Sequence, residues 1–144
     1  MRSLAALILL TLPAFAAPVP KELRKRPTLE GTWERTVTDY LGQVTDCPGQ
    51  RWEFGATSMK VHPEPDSKSP AFVQTCKGSY SLESDGRAGG FDFKDAATNR
   101  TSLGLYERDG ASLKICFVIG GSRRPTDMKS GPSKVIYTFK RIEE

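Results

Sequence analysis

At 144 residues the chain has room for one hydrophobic core and too little for two. Lysine and arginine outnumber aspartate and glutamate by 21 to 17, a formal +4, and the excess is spread too thinly for the several phosphate contacts on which nucleic-acid affinity rests. One histidine and the lack of any Cys-x-x-Cys exclude histidine-based metal sites and give no sign of thioredoxin-like or zinc-ribbon chemistry.

The first 16 residues read as a secretory signal peptide. Met1-Arg2 is a short positive start, Leu4 to Leu12 is an apolar run, and Ala14-Phe15-Ala16 places small residues at the −3 and −1 positions of a cleavage site. The other reading is a membrane anchor, but the apolar run is shorter than a span requires. The expected organisation is therefore a signal peptide at 1–16, a basic arm at 17–28 and one folded domain at 29–142. The expected location is periplasmic or extracellular, with no membrane span after signal removal. The arm, Lys21-Glu22-Leu23-Arg24-Lys25-Arg26, carries no interleaved aromatic residues for stacking on bases and reads as a solvated leader.

Gly31 to Leu41 is the first predicted strand, with Trp33, Arg35, Val37 and Asp39 expected on the inward face. Gly42 and then Cys47-Pro48-Gly49 read as the first connection. Arg51–Phe54 and Met59–His62 form a predicted hairpin with Trp52, Phe54, Met59 and Val61 buried. Pro63, Pro65 and Pro70 mark an exposed loop. Strands are then predicted over Phe72–Glu83, Gly89–Phe93, Ser102–Glu107, Ser112–Ile119 and Lys134–Ile142. An Asp109-Gly110 turn falls between the sixth and the seventh. About eight short strands at even spacing, with no amphipathic helical stretch, predict an all-β fold. The expected architecture is a small antiparallel up-and-down barrel, closed so that no edge strand stays open to pairing.

The motifs Leu29-x-Gly-Thr-Trp33, Leu103-Gly-Leu-Tyr-Glu-Arg-Asp-Gly110 with Ser112-Leu-Lys-Ile-Cys116, Arg124-Pro-Thr-Asp-Met-Lys129 and Phe139-Lys-Arg141 follow one another in that order. Together they resemble the uncharacterised lipocalin-like (calycin-type) domain family expanded in planctomycete and related bacteria, over roughly residues 28–142. The resemblance implies an exported β-barrel without established activity. It also implies structural roles for Gly31, Trp33 and Arg141, with the tryptophan closing one end of the barrel and the arginine packed over its ring. Two features depart from the family pattern: the long proline loop, and the extra cysteines Cys47 and Cys76.

Candidate sites are few. Arg35, if inward, needs a partner, because an unpaired buried charge is strongly unfavourable. A ligand carboxylate or phosphate would serve, as would Asp39 along the same face; alternatively the strand twists and Arg35 reaches solvent at the barrel mouth. Tyr80 and Tyr137 carry hydroxyls that can point into a cavity or find backbone partners within the core. With Arg35 they are the candidate ligand-binding residues. A Cys47–Cys76 disulfide is a hypothesis for an exported chain, stabilising by ~3 kcal/mol on the chain-entropy model. Cys116 reads as a small buried hydrophobe, Asp92 and Asp95 as turn-formers, and His62 as an exposed strand end.

No nucleophile elbow, phosphate loop, metal cluster or cofactor motif is visible, so neither an enzyme nor a cofactor is expected. The leading expectation is an exported barrel holding a small apolar or amphipathic ligand. The alternative is an interior filled by its own aromatic rings, with the 63–70 and 120–133 loops contacting the envelope or a protein. A cavity of ~300 Å³ or more separates the two, and any site is expected at the end opposite Trp33.

Overall fold

Alternating apolar and polar residues between turn signals leave the backbone one economical way to pair its N–H and C=O groups, a ladder of neighbouring strands. The computed structural model describes residues 28–63, 76–84, 87–120 and 122–142. Within them run eight strands: β1 (Gly31–Tyr40), β2 (Gln43–Phe54), β3 (Ser58–Val61), β4 (Lys77–Glu83), β5 (Ala88–Asp95), β6 (Thr101–Asp109), β7 (Ser112–Val118) and β8 (Lys134–Ile142). Each pairs antiparallel with the next, and β1 pairs with β8, closing an up-and-down barrel. The expected signal peptide, the basic arm except Thr28, most of the proline loop and residues 72–75 of the fourth predicted strand lie outside the described residues.

The first connection differs from the expected one. The chain turns at Leu41-Gly42, where both residues have positive φ (55° and 85°), and β2 then runs unbroken through Cys47-Pro48-Gly49. A proline cannot donate to a ladder, which is why this segment reads as a loop. The strand absorbs it in a bulge. Arg35 pairs with Gln50 and Val37 with Asp46, so three residues of β2 face the single residue Thr36.

That bulge also overturns the face assignment along β1. On the β8 side Arg35 pairs with Phe139, but Val37 pairs with Thr138 and Thr38 with Tyr137. Paired residues share a face, so the inward side of β1 changes from Trp33 and Arg35 to Thr38. Asp39 pairs with Ile136 on the outer face and is not placed to neutralise Arg35. Its carboxylate instead accepts a hydrogen bond from the Gly42 amide at 3.0 Å, fixing the turn.

The inward rings interlock. Trp52 meets Phe139 edge-on with centroids 4.8 Å apart, Phe54 meets Tyr80 at 5.3 Å, and Tyr80 stacks on Phe91 at 5.8 Å. Such pairs add to area burial about 0.5–1.5 kcal/mol each. Leu113, Ile115 and Tyr106 complete the packed layer, all essentially inaccessible.

A second, smaller apolar layer lies outside the barrel wall. Cys116 and Ile136 pair on the outer face of β7 and β8 and are nevertheless buried. The 119–133 connection folds back over the wall: Pro125 is buried, and the Cys116 thiol lies 4.0 Å from the Asp127 carbonyl oxygen. Arg124 pins this strap. It pairs with Asp92 at 2.8 Å and Glu83 at 3.3 Å and donates to the Gly104 carbonyl at 2.7 Å. Any Cβ at position 90 would run into the Arg124 guanidinium, so Gly90 gives the arginine its seat. Asp92 is therefore a mid-strand ion-pair partner and not the expected turn-former. Asp95 does form the β5–β6 turn, accepting from the Ala97 amide at 2.8 Å.

Candidate functional site

The two ends of the barrel have opposite characters. At one end the chain entering β1 lies across the opening, with Leu29 fully buried beneath it. Three consecutive carbonyls in this segment are capped. Arg108 donates to Thr28 O at 3.0 Å, the Trp33 indole to Leu29 O at 2.9 Å, and Arg141 to Glu30 O at 3.1 Å. Both guanidinium carbons lie 5.8 Å from the Trp33 ring centroid, and each such contact contributes on the order of 1 kcal/mol. Gly31, at φ 124°, passes so close under Arg141 that a Cβ would sit 3.1 Å from its guanidinium. Trp33 and Arg141 thus stand in the arrangement expected of them; Arg108, the second guanidinium at the ring, carries no sequence signal of that role.

Tyr80 belongs to this closed end. Its hydroxyl donates to Gly55 O at 2.8 Å and accepts from the Leu29 amide at 3.2 Å. It is a strut between β4 and the entering chain and lies outside the cavity, contrary to the expectation that grouped it with Arg35 and Tyr137.

Toward the other end the described residues leave the barrel interior open. An open cavity of about 890 Å³ is walled by Trp52, Met59, Phe93, Phe117 and Val135, with Arg35, Gln50 and Tyr137 among them. Arg100, Thr101 and Ser122 stand at its mouth. The large hydrophobics most exposed among the described residues also gather at this end: Tyr40, Leu41 and Val44 on the β1–β2 hairpin, and Ile119 after β7.

Arg35 does not reach bulk solvent. It is only 9 % exposed, the one buried charged side chain among the described residues. Its guanidinium carbon stands 5.8 Å from the Tyr137 ring centroid. Burial pushes the Tyr137 hydroxyl above its ordinary value, an effect the nearby Arg35 charge partly offsets, so the phenol stays neutral and able to donate. The Gln50 carbonyl oxygen accepts from the Trp52 indole at 3.0 Å, locking that ring into the wall. The structure brings Arg35 and Tyr137 together in the cavity wall. Gln50 and Arg100 were missed: Gln50 follows a segment read as loop, and the direction of the Arg100 side chain after a turn has no periodic signal.

The hypothesised Cys47–Cys76 bridge is not formed, whereas Cys116 is the buried thiol expected. Cys47, Cys76 and Cys116 are all free thiols. Val61 bonds the Cys76 carbonyl and pairs with Trp52, so Cys76 lies level with Trp52, two strands away. Cys47 lies farther along β2, in the bulge. That is a separation on the order of 15 Å or more, against the ~4–7 Å between α-carbons that a disulfide tolerates. Cys76 faces the cavity, and burial, reinforced by Asp95, raises its pKa, leaving it a weak nucleophile. His62 follows β3 half-buried, with Nε2 2.8 Å from Glu53.

Among the described residues no His, Cys, Asp and Glu side chains cluster as a metal would need. Nor is any helix long and apolar enough to cross a membrane. What the cavity can do chemically is hold a molecule, with apolar walls for most of it and a few donors for one polar group. Compared with family models, curated proteins and solved structures, the chain gives no match.

Proposed function

We propose that this chain is an exported, non-enzymatic, lipocalin-like binding protein whose open-ended cavity holds a small amphipathic molecule. The observation that carries the reading is the cavity itself. Its volume of about 890 Å³ falls within the ~300–1,000 Å³ typical of small-molecule sites, and its lining has the expected mixture of many apolar groups and few polar ones. An eight-stranded barrel is just wide enough for one small ligand. The rings that fill the closed half leave the other half open. The apolar residues around the mouth favour entry of a partly apolar molecule from that side.

The filled-barrel alternative has less behind it. The 120–133 loop, one of the two that reading relies on, is tied to the barrel wall by Arg124 and Asp127. Native mass spectrometry of protein purified from its own host tests the proposal. A reproducible bound mass of a small molecule is expected; its consistent absence across mild preparations overturns the reading.

A further inference from the structure

The tip of the β1–β2 hairpin breaks a local rule. Tyr40 pairs with Gln43, which leaves a two-residue turn, Leu41-Gly42, with positive φ at both positions. Such a turn favours Asn-Gly or Asp-Gly, because short polar side chains tolerate the left-handed conformation better than a leucine does. Leu41 takes on that strain and still leaves its apolar side chain exposed, so neither the turn nor the core gains from it. Its neighbours repeat the pattern. Tyr40 is exposed on the inward face, paired with Val135, and Val44, at 69 % the most exposed of the set, lies on the outer face, paired with Asp39. Ile119, the fourth exposed large hydrophobic among the described residues, belongs to the same tip. Its amide bonds Ser133 O and the Leu41 amide bonds Lys134 O, so the two residues flank the start of β8, ~10 Å apart.

We infer that this tip docks on an anionic lipid surface and seats the mouth of the barrel against the bilayer. Apolar side chains at the apex and on both faces of one hairpin suit a fluid medium that surrounds them, whereas a flat protein surface covers one face. A tyrosine beside aliphatic residues is also the composition of an interfacial anchor. Charge selects the kind of lipid. Arg100, Arg123 and Lys129 are exposed on the β5–β6 and β7–β8 connections at this end. Asp39, Asp95 and Asp127 accept hydrogen bonds from the Gly42, Ala97 and Lys129 amides within their own turns. Asp46 shares the face of Val44 but stands ~7 Å behind it along β2. Basic groups beside an apolar anchor draw it to anionic lipid. The same cations disfavour a second copy as the occupant, because a two-fold contact through the mouth would set each basic group against its own kind. The inference goes beyond the cavity reading and stands without it. With a ligand in the cavity, docking would let that molecule pass between bilayer and barrel without crossing water.

Flotation of the purified protein with vesicles of phosphatidylcholine alone, or of equal parts phosphatidylcholine and phosphatidylglycerol, tests this. Binding to the mixed vesicles is expected to be about ten-fold tighter than to the neutral ones and to weaken with salt. Leu41→Asn separates docking from folding, since asparagine is a preferred residue for this turn. It should keep or raise Tm while weakening vesicle binding about ten-fold. Arg100→Gln combined with Arg123→Gln should shrink the preference for the mixed vesicles. Tyr40→Trp should show a blue shift and quenching by lipids brominated in the upper acyl chain, beyond the response of the parent's two tryptophans. No binding to either vesicle overturns the inference, as does unchanged binding of Leu41→Asn. A lowered Tm in Leu41→Asn gives the leucine a structural role and overturns it too. Equal binding to both vesicles overturns the anionic surface. Concentration-dependent dimers that Leu41→Asn abolishes assign the tip to a second copy instead. None of these outcomes bears on the bound mass that tests the cavity, so the two readings fail separately.

Discussion

Trp33 shows how much a single side chain can organise. Its ring is fully buried, its N–H caps Leu29, and the guanidiniums of Arg108 and Arg141 both approach it. Replacement by alanine removes packing, a hydrogen bond and the surface on which two guanidiniums rest, with no neighbour free to fill the space. Trp33→Ala should lower the free energy of unfolding by ~3–5 kcal/mol, read as a fall in the urea midpoint; an unchanged midpoint would place the indole elsewhere. Arg35 poses the opposite problem. Its oddness on an apolar face was legible in the sequence, but its partner was not. The pattern pointed to Asp39, and one bulged residue, Thr36, sends that carboxylate to the outer face.

At the level of elements, the strap after β7 behaves as an ion-paired clasp. Lys134 donates to the Asp127 carboxylate at 2.6 Å, the Lys129 amide donates to it at 2.8 Å, and both hold its pKa below the ordinary 3.8. A carboxyl whose folded pKa is depressed stabilises fully above its unfolded value and loses that contribution as pH falls through the lower folded value. The clasp should therefore be intact at neutral pH and open only well into acid. Asp127→Asn should lower Tm modestly at pH 7, because the group is exposed and screened. The difference from the parent protein should shrink toward zero below about pH 3. A difference that persists undiminished in acid would mean that the carboxylate charge is not what holds the strap.

For the whole molecule, closure of the barrel decides which groups reagents can reach. Cys47 and Cys76 are partly exposed, whereas Cys116 lies wholly beneath the strap. Burial raises the Cys116 pKa, and Lys134 offsets this only in part. A thiol-reactive chromophore should count three thiols in denaturant, with Cys116 reacting at the rate of unfolding and Cys76 slowly in the native state. A denatured count of one would mean that Cys47 and Cys76 are bonded, and that β2 and β4 lie closer than the barrel register places them.

The strand count, the up-and-down order and all of the inward aromatic set but Tyr106 were readable from periodicity, and the Trp33–Arg141 contact from the resemblance carried by its two motifs. Each depends on local periodicity or on a motif carried within one strand, and side-chain alternation at period two survives wherever the ladder is regular. What the tertiary structure decided lies where the ladder breaks or where distant segments meet. The bulge at Thr36 and Cys47-Pro48-Gly49 sets the depth of Arg35, the register separates Cys47 from Cys76, and Arg124 crosses the outer wall to Asp92. The cavity belongs to the same class. Whether the inward rings fill a barrel depends on how they nest around its circumference: packing in the closed half tips Tyr80 toward Gly55 and leaves Tyr137 facing open space. No pattern along the chain encodes that choice, because it is made between side chains that are neighbours only after the barrel has closed.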